Sequence, residues 1–85
     1  MEGRIMDVYT TTVKTVGNVD KQQYTPITDP EDFWGITIDE VRDKISKWQS
    51  FWMVGGGNWT NPVLYRNGEA FGYFSYNLRL WDSLL

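Results

Sequence analysis

The chain contains no cysteine and no histidine among its 85 residues, and only three prolines. Without cysteine there is no disulfide, no thiolate zinc site, no iron–sulfur cluster and no cysteine nucleophile. Without histidine there is no Ser-His-Asp triad, no imidazole metal ligand and no ordinary general base near neutral pH. Long hydrophobic runs are also missing. The longest, Phe51-Trp52-Met53-Val54, falls far short of the ~20 residues that a membrane-spanning helix needs. Basic residues are in deficit, eight against eleven acids, for a net charge of −3. Such a chain is poorly suited to nucleic-acid backbones, which are bound through Lys and Arg.

The first residues, Met1-Glu2-Gly3-Arg4-Ile5-Met6-Asp7, interleave charge with apolar side chains and lack the continuous apolar stretch of an export signal. Asn58-Trp59-Thr60 matches a glycosylation acceptor, but without a secretion signal it reads as chance. The expectation is a soluble cytoplasmic protein, in the host cytoplasm if a phage encodes it. The length suits a single domain over residues 1–85 with a thin core, since a chain this small buries only about 60% of its unfolded surface.

The pattern of residues points to an α+β fold. Ile5 to Val16 is rich in Thr and Val and reads as a strand. Its two faces, Val8-Thr10-Thr12-Lys14 and Tyr9-Thr11-Val13, lack one clean apolar side, which suggests a sheet edge. Gly17 to Asp32 reads as a loop broken by Pro26 and Pro30, with Thr28-Asp29-Pro30-Glu31-Asp32 as a short helical start. Thr37-Ile38-Asp39-Glu40 is a capping box, and Ile38, Val41, Ile45, Trp48 and Trp52 draw an apolar stripe behind it. The predicted helix runs from Ile38 to about Gln49, with Phe33 and Trp34 ahead of it as the apolar staple of its start.

The remainder reads as β. Strands are expected at Phe51–Val54, stopped by Gly55-Gly56-Gly57, at Val63–Arg66, and from Glu69 to about Leu80. Asn67-Gly68 marks a type I′ hairpin turn between the last two. Ala70, Phe74, Tyr76, Leu78 and Leu80 share one parity along the final strand, although Asn77 could instead cap a last helical turn, with Trp81, Leu84 and Leu85 packing back. The expected order is β-α-β-β-β, with one amphipathic helix packed on one face of a small antiparallel sheet.

Two excesses carry what functional information there is. The first is acidic. Between Asp29 and Asp43 six acids (Asp29, Glu31, Asp32, Asp39, Glu40, Asp43) stand against Arg42 alone, for −5, whereas the rest of the chain totals +2. Acids near a helix start stabilise its dipole and solvate its surface, or they form a face for a basic partner. Asp39 and Asp43 share a helix side, but no third ligand and no calcium-loop spacing accompany them, so no metal and no cofactor are expected. The second excess is aromatic, fourteen side chains including five Trp. Trp48 lies on the helix stripe. Phe71, Tyr73 and Trp81 have the parity opposite to the helix-facing residues, and Trp59 sits in a loop. One helix cannot cover both faces of a sheet, so an aromatic patch is expected unless the Gly17–Asp32 and Gly55–Pro62 loops fold over it.

Other motifs are weak. Val54-Gly55-Gly56-Gly57-Asn58 lacks the lysine and helix start of a phosphate loop. Ala70-Phe71-Gly72-Tyr73-Phe74 lacks the basic neighbours of base-stacking RNA strands. Ser46, Ser50, Ser75 and Ser83 have no evident base, with lysines scattered at Lys14, Lys21, Lys44 and Lys47. The sequence therefore suggests a binding protein and not an enzyme. Its profile is that of a small acidic accessory or inhibitor protein of phages and mobile elements, which blocks a host protein or a nucleic-acid-binding surface. The partner expected is a protein with a basic surface, met through Asp29, Glu31, Asp32, Asp39, Glu40 and Asp43 and through Trp59, Phe71, Tyr73 and Trp81. The alternatives are an aromatic platform for glycan or single-stranded nucleic acid, and a homodimer.

Overall fold

A computed structural model describes residues 6–82 of the chain. It contains strands β1 (Tyr9–Val13) and β2 (Glu31–Gly35), helix α1 (Ile38–Trp52), and strands β3 (Val63–Arg66), β4 (Glu69–Phe74) and β5 (Leu80–Trp81). Short 3-10 turns at Val19–Lys21 and Gly56–Asn58 interrupt the loops. The strands form one antiparallel sheet in the order β2-β1-β3-β4-β5, with the helix on one face. The expected α+β class and the β-α-β-β-β order are both present, with one further strand, β2, inserted ahead of the helix.

The helix begins where the capping box places it. Thr37 has extended backbone angles, and its hydroxyl accepts the Glu40 N–H at 3.1 Å. The Glu40 carboxylate reaches back to accept the Ile36 N–H at 2.7 Å, so Thr37 satisfies a donor of the first turn while Glu40 ties down the residue leading into the cap. The helix runs three residues beyond the expected end, and Phe51–Val54 is not a strand. Phe51 and Trp52 complete its last turn with their rings edge to face at 5.2 Å. Met53 then enters the left-handed region (φ 54, ψ 44), and the Val54 N–H donates to the Gln49 carbonyl at 2.9 Å. This is a Schellman closure without the usual glycine, and it swings Val54 into the core.

Val41, Ile45 and Trp48 face the sheet and are buried with Val13, Val54, Leu64, Phe74 and Leu78. Burial of each such side chain stabilises the fold by roughly 1.5–3 kcal/mol. The stripe residue Trp52 does not join them, because Val54 takes the core position at that end. Trp52 instead borders a hollow of about 510 Å³ with Lys14, Pro26, Ile27 and Pro30.

β1 is an interior strand, not an edge. Tyr9, Thr11 and Val13 point toward the helix, and Thr11 is tolerated there because its hydroxyl donates to the Val63 carbonyl at 2.7 Å. The segment expected as a helical start is partly strand β2, which pairs with β1 in the register Tyr9↔Gly35, Thr11↔Phe33, Val13↔Glu31. Phe33 therefore faces inward, edge to face with Trp48 at 5.8 Å, while Trp34 faces outward. The two do not act together as a staple.

Asn67 and Gly68 both have positive φ, 53 and 86, as the hairpin requires. The return strand is shorter than its parity suggests. It stops at Phe74, and Ser75–Arg79 fold into a second turn held by the Leu78 N–H to the Ser75 carbonyl (2.8 Å) and by Asn77, whose side chain accepts the Arg79 N–H at 3.2 Å. Asn77 thus closes a turn and caps no helix. Gly72 admits β5 alongside β4, since a Cβ there would collide with the Trp81 carbonyl. Leu84 and Leu85 lie outside the described residues.

Candidate functional site

The helix packs over β2 and β1, and the rest of its side of the sheet is closed by the Ser75–Arg79 turn and by Trp59. Trp59 is half-buried and packs against the core. Its indole N–H donates to the Phe74 carbonyl at 3.1 Å, and its ring meets Tyr76 edge on at 6.1 Å. Tyr76 is held in turn by its hydroxyl, which donates to the Val54 carbonyl at 3.0 Å. A polar tip finding a carbonyl next to the core is the usual way a loop Trp becomes structural.

Phe71 also leaves the expected patch. Leu64 pairs with Gly72 but Tyr65 pairs with Ala70, so Phe71 is the extra residue of a β-bulge. A bulge redirects the side chain of its extra residue. Phe71 consequently lies against Tyr9 at 6.2 Å, beneath the Arg66 guanidinium at 4.7 Å, on the side that packs against the core. Simple alternation back from the buried Phe74 would have placed it on the opposite face.

The opposite face is where the remaining aromatic residues gather. Cross-strand pairing places Trp34, Thr10, Tyr65 and Ala70 in one row and Asp32, Thr12, Val63, Tyr73 and Trp81 in the next. Tyr73 and Trp81 are stacked, 6.5 Å apart with planes within 13°. The Arg79 guanidinium lies 4.7 Å from the Trp81 ring, and the Lys44 ammonium 5.0 Å from the Trp34 ring. Trp34 is 60% exposed, Trp81 42% and Tyr65 40%. Among the described residues no element packs on this face. The loops expected to cover it dock on each other beyond the end of β1, where Asn58 is buried and its amide donates to the Val16 carbonyl (2.8 Å) and to the Gln23 side chain (3.0 Å).

Between Trp34 and Tyr65 runs a shallow groove of about 370 Å³, floored by Thr10 and Thr12 and bordered by Asp32. Thr12 donates its hydroxyl proton to Asp32 at 2.6 Å. Trp34 and Tyr65 were not anticipated as surface residues. The alternation of Tyr65 with Leu64 would have revealed the second once the inward face of β3 was known. Nothing in the sequence marked Glu31–Gly35 as a strand strongly enough to reveal the first.

The acids do not form a single face. Glu40 is committed to the helix cap, Asp39 is paired with Arg42, and Asp43 is 3.1 Å from the Lys47 ammonium. Extending the acidic stretch through Lys44 and Lys47 lowers its charge from −5 to −3. Asp29 borders the hollow beside Trp52, Glu31 is exposed on the edge strand, and only Asp32 belongs to the aromatic face. Of the ten residues singled out, three share that face: Asp32, Tyr73 and Trp81.

Comparison with protein-family models, with curated proteins and with solved structures returns no match. Any functional reading therefore stands on this surface alone. No described helix is long and apolar enough to cross a membrane.

Proposed function

We propose that the protein is a non-catalytic binding protein that works by protein–protein contact through the uncovered face of its sheet. The reading rests on Trp34, Tyr65, Tyr73 and Trp81 lying together on one side of a five-stranded sheet whose helix is on the other. Trp and Tyr dominate interface energetics because they bury a large area at little cost in side-chain entropy. A pleated sheet also presents them on a stiff, flat base. An accessory or inhibitor protein that occupies a partner's surface fits this arrangement, with the aromatic face and not the helix acids as the contact. Asp39 and Asp43 are neutralised by their own helix neighbours, which lowers the field available for steering a basic partner.

The test is oxidative footprinting of Trp34, Tyr65 and Trp81 inside cells expressing the protein, against the purified protein at high dilution. Protection in cells is the expected result. Equal oxidation in both states would refute the reading.

The groove between Trp34 and Tyr65 supports a second reading. Aromatic walls over threonine hydroxyls and a carboxylate suit a neutral sugar ring better than a nucleic-acid phosphate, which Asp32 would repel. Titration with neutral oligosaccharides would then change Trp fluorescence, and replacement of Trp34 by Ser would abolish the change.

A further inference from the structure

We infer that the occupant of the uncovered sheet face is a second copy of this chain, docked by a two-fold axis running along β3. The inference rests on the reading that this face is a protein contact, and it names the partner.

The face is polarised across its width. The row that crosses all five strands begins at Asp32 on β2, passes Thr12, Val63 and Tyr73, and ends at Trp81 on β5 with the Arg79 guanidinium over its ring. In this row a carboxylate stands at one edge, a guanidinium at the other, and Thr12, Val63 and Tyr73 lie between them. β3 is the middle strand. A two-fold axis along it reverses the row on itself, so that Asp32 of each copy meets Arg79 and Trp81 of the other. Thr12 then faces Tyr73, a small residue against a large one, and Val63 faces Val63.

The neighbouring row obeys the same operation. Tyr65, also on β3, meets its own symmetry mate, and Thr10 meets Ala70. Trp34, the bulkiest residue at that edge, is placed over the corner next to Ala70, past the end of the two-residue strand β5. A surface that is its own complement under a two-fold is the requirement for a closed homodimer. Opposite charges at the two edges meet it, whereas a single-sign face would not. Aligned packing of two twisted sheets about 10 Å apart is a common arrangement.

The size of the face sets the strength. Five strands spaced at ~4.8 Å, holding 22 residues that rise ~3.3 Å each, give a footprint of roughly 350 Å² per copy. Stable dimers bury about 800 Å² per partner, so association here is reversible and concentration-dependent.

Sedimentation equilibrium of the purified full chain across the micromolar range tests the inference. The wild type should approach twice the mass of one chain as concentration rises. Asp32→Arg and Arg79→Asp, both at exposed positions, should each weaken self-association by at least about tenfold, because every attractive edge becomes a repulsive one. Mixed in equal amounts, the two single variants should dimerise with each other, and the double variant D32R/R79D should recover self-association. Circular dichroism of each variant confirms that the fold is retained. A wild type that stays monomeric throughout would overturn the inference. So would single variants that dimerise as well as wild type, or a mixture that does not associate. If the purified chain is monomeric while Trp34, Tyr65 and Trp81 remain protected in cells, another protein occupies the face. Absence of protection in a dimerising protein would instead refute the choice of face.

Discussion

Phe33 and Trp34 are adjacent in β2, yet the structure assigns them opposite fates, and exchanging each for alanine measures that directly. Phe33 packs edge to face on Trp48 inside the helix–sheet interface. Truncating a fully buried Phe costs about 3–5 kcal/mol, and partial burial of Phe33 reduces this to roughly 2–3. Trp34 is 60% exposed, and its main described partner is the Lys44 ammonium over its ring. An exposed cation–π contact contributes about 0.5–1 kcal/mol, so Trp34→Ala should cost about 1. For a domain of this size 1 kcal/mol shifts the melting temperature by about 4–8 °C. Phe33→Ala should therefore lower Tm by about 10–20 °C and Trp34→Ala by about 5 °C, read by thermal and urea unfolding followed by circular dichroism. Because strand side chains alternate, a one-residue slip in the β1–β2 pairing would exchange the two. Equal losses, or a greater loss for Trp34→Ala, would refute the register and remove Trp34 from the uncovered face.

Thr37→Ala deletes the acceptor for the Glu40 N–H and should cost about 1 kcal/mol in urea unfolding, with Thr37→Ser nearly neutral. Met53→Gly should stabilise by about 1 kcal/mol, since Met53 is 85% exposed and its side chain is carried in a left-handed backbone conformation. Gly72→Ala should detach β5 from β4 and expose Trp81, seen as a red shift in Trp emission, because its Cβ has no room beside the Trp81 carbonyl. Reversal of Asp39 and Asp43 to Lys should leave self-association unchanged, as neither lies on the sheet face; a loss measured by sedimentation would return the helix acids to the mechanism.

The features readable from the sequence were local ones. Thr37 and Glu40 sit three residues apart before an apolar stripe, and that spacing specifies a helix start whatever surrounds it. Asn67-Gly68 specifies a turn because both residues tolerate positive φ. The absence of cysteine and histidine, and an aromatic content too high for one helix on one sheet to bury, also needed no coordinates. What the sequence could not decide depended on pairing between distant segments. Glu31–Gly35 becomes a strand only because β1 offers it an edge, and its own acids and glycine, with Pro30 just ahead of it, argue against it. Phe51 and Trp52 extend the helix because the left-handed turn at Met53 lets Val54 fill the core. Phe71 changes face because one unpaired residue in β4 shifts the register against β3, and alternation carries no record of a bulge. Trp59 turns inward because a carbonyl of β4 is within reach of its indole N–H. Local hydrogen-bonding and conformational preferences act within a few residues and can be read along the chain. The side of a sheet to which a ring points is set by register, and register is a property of two strands together.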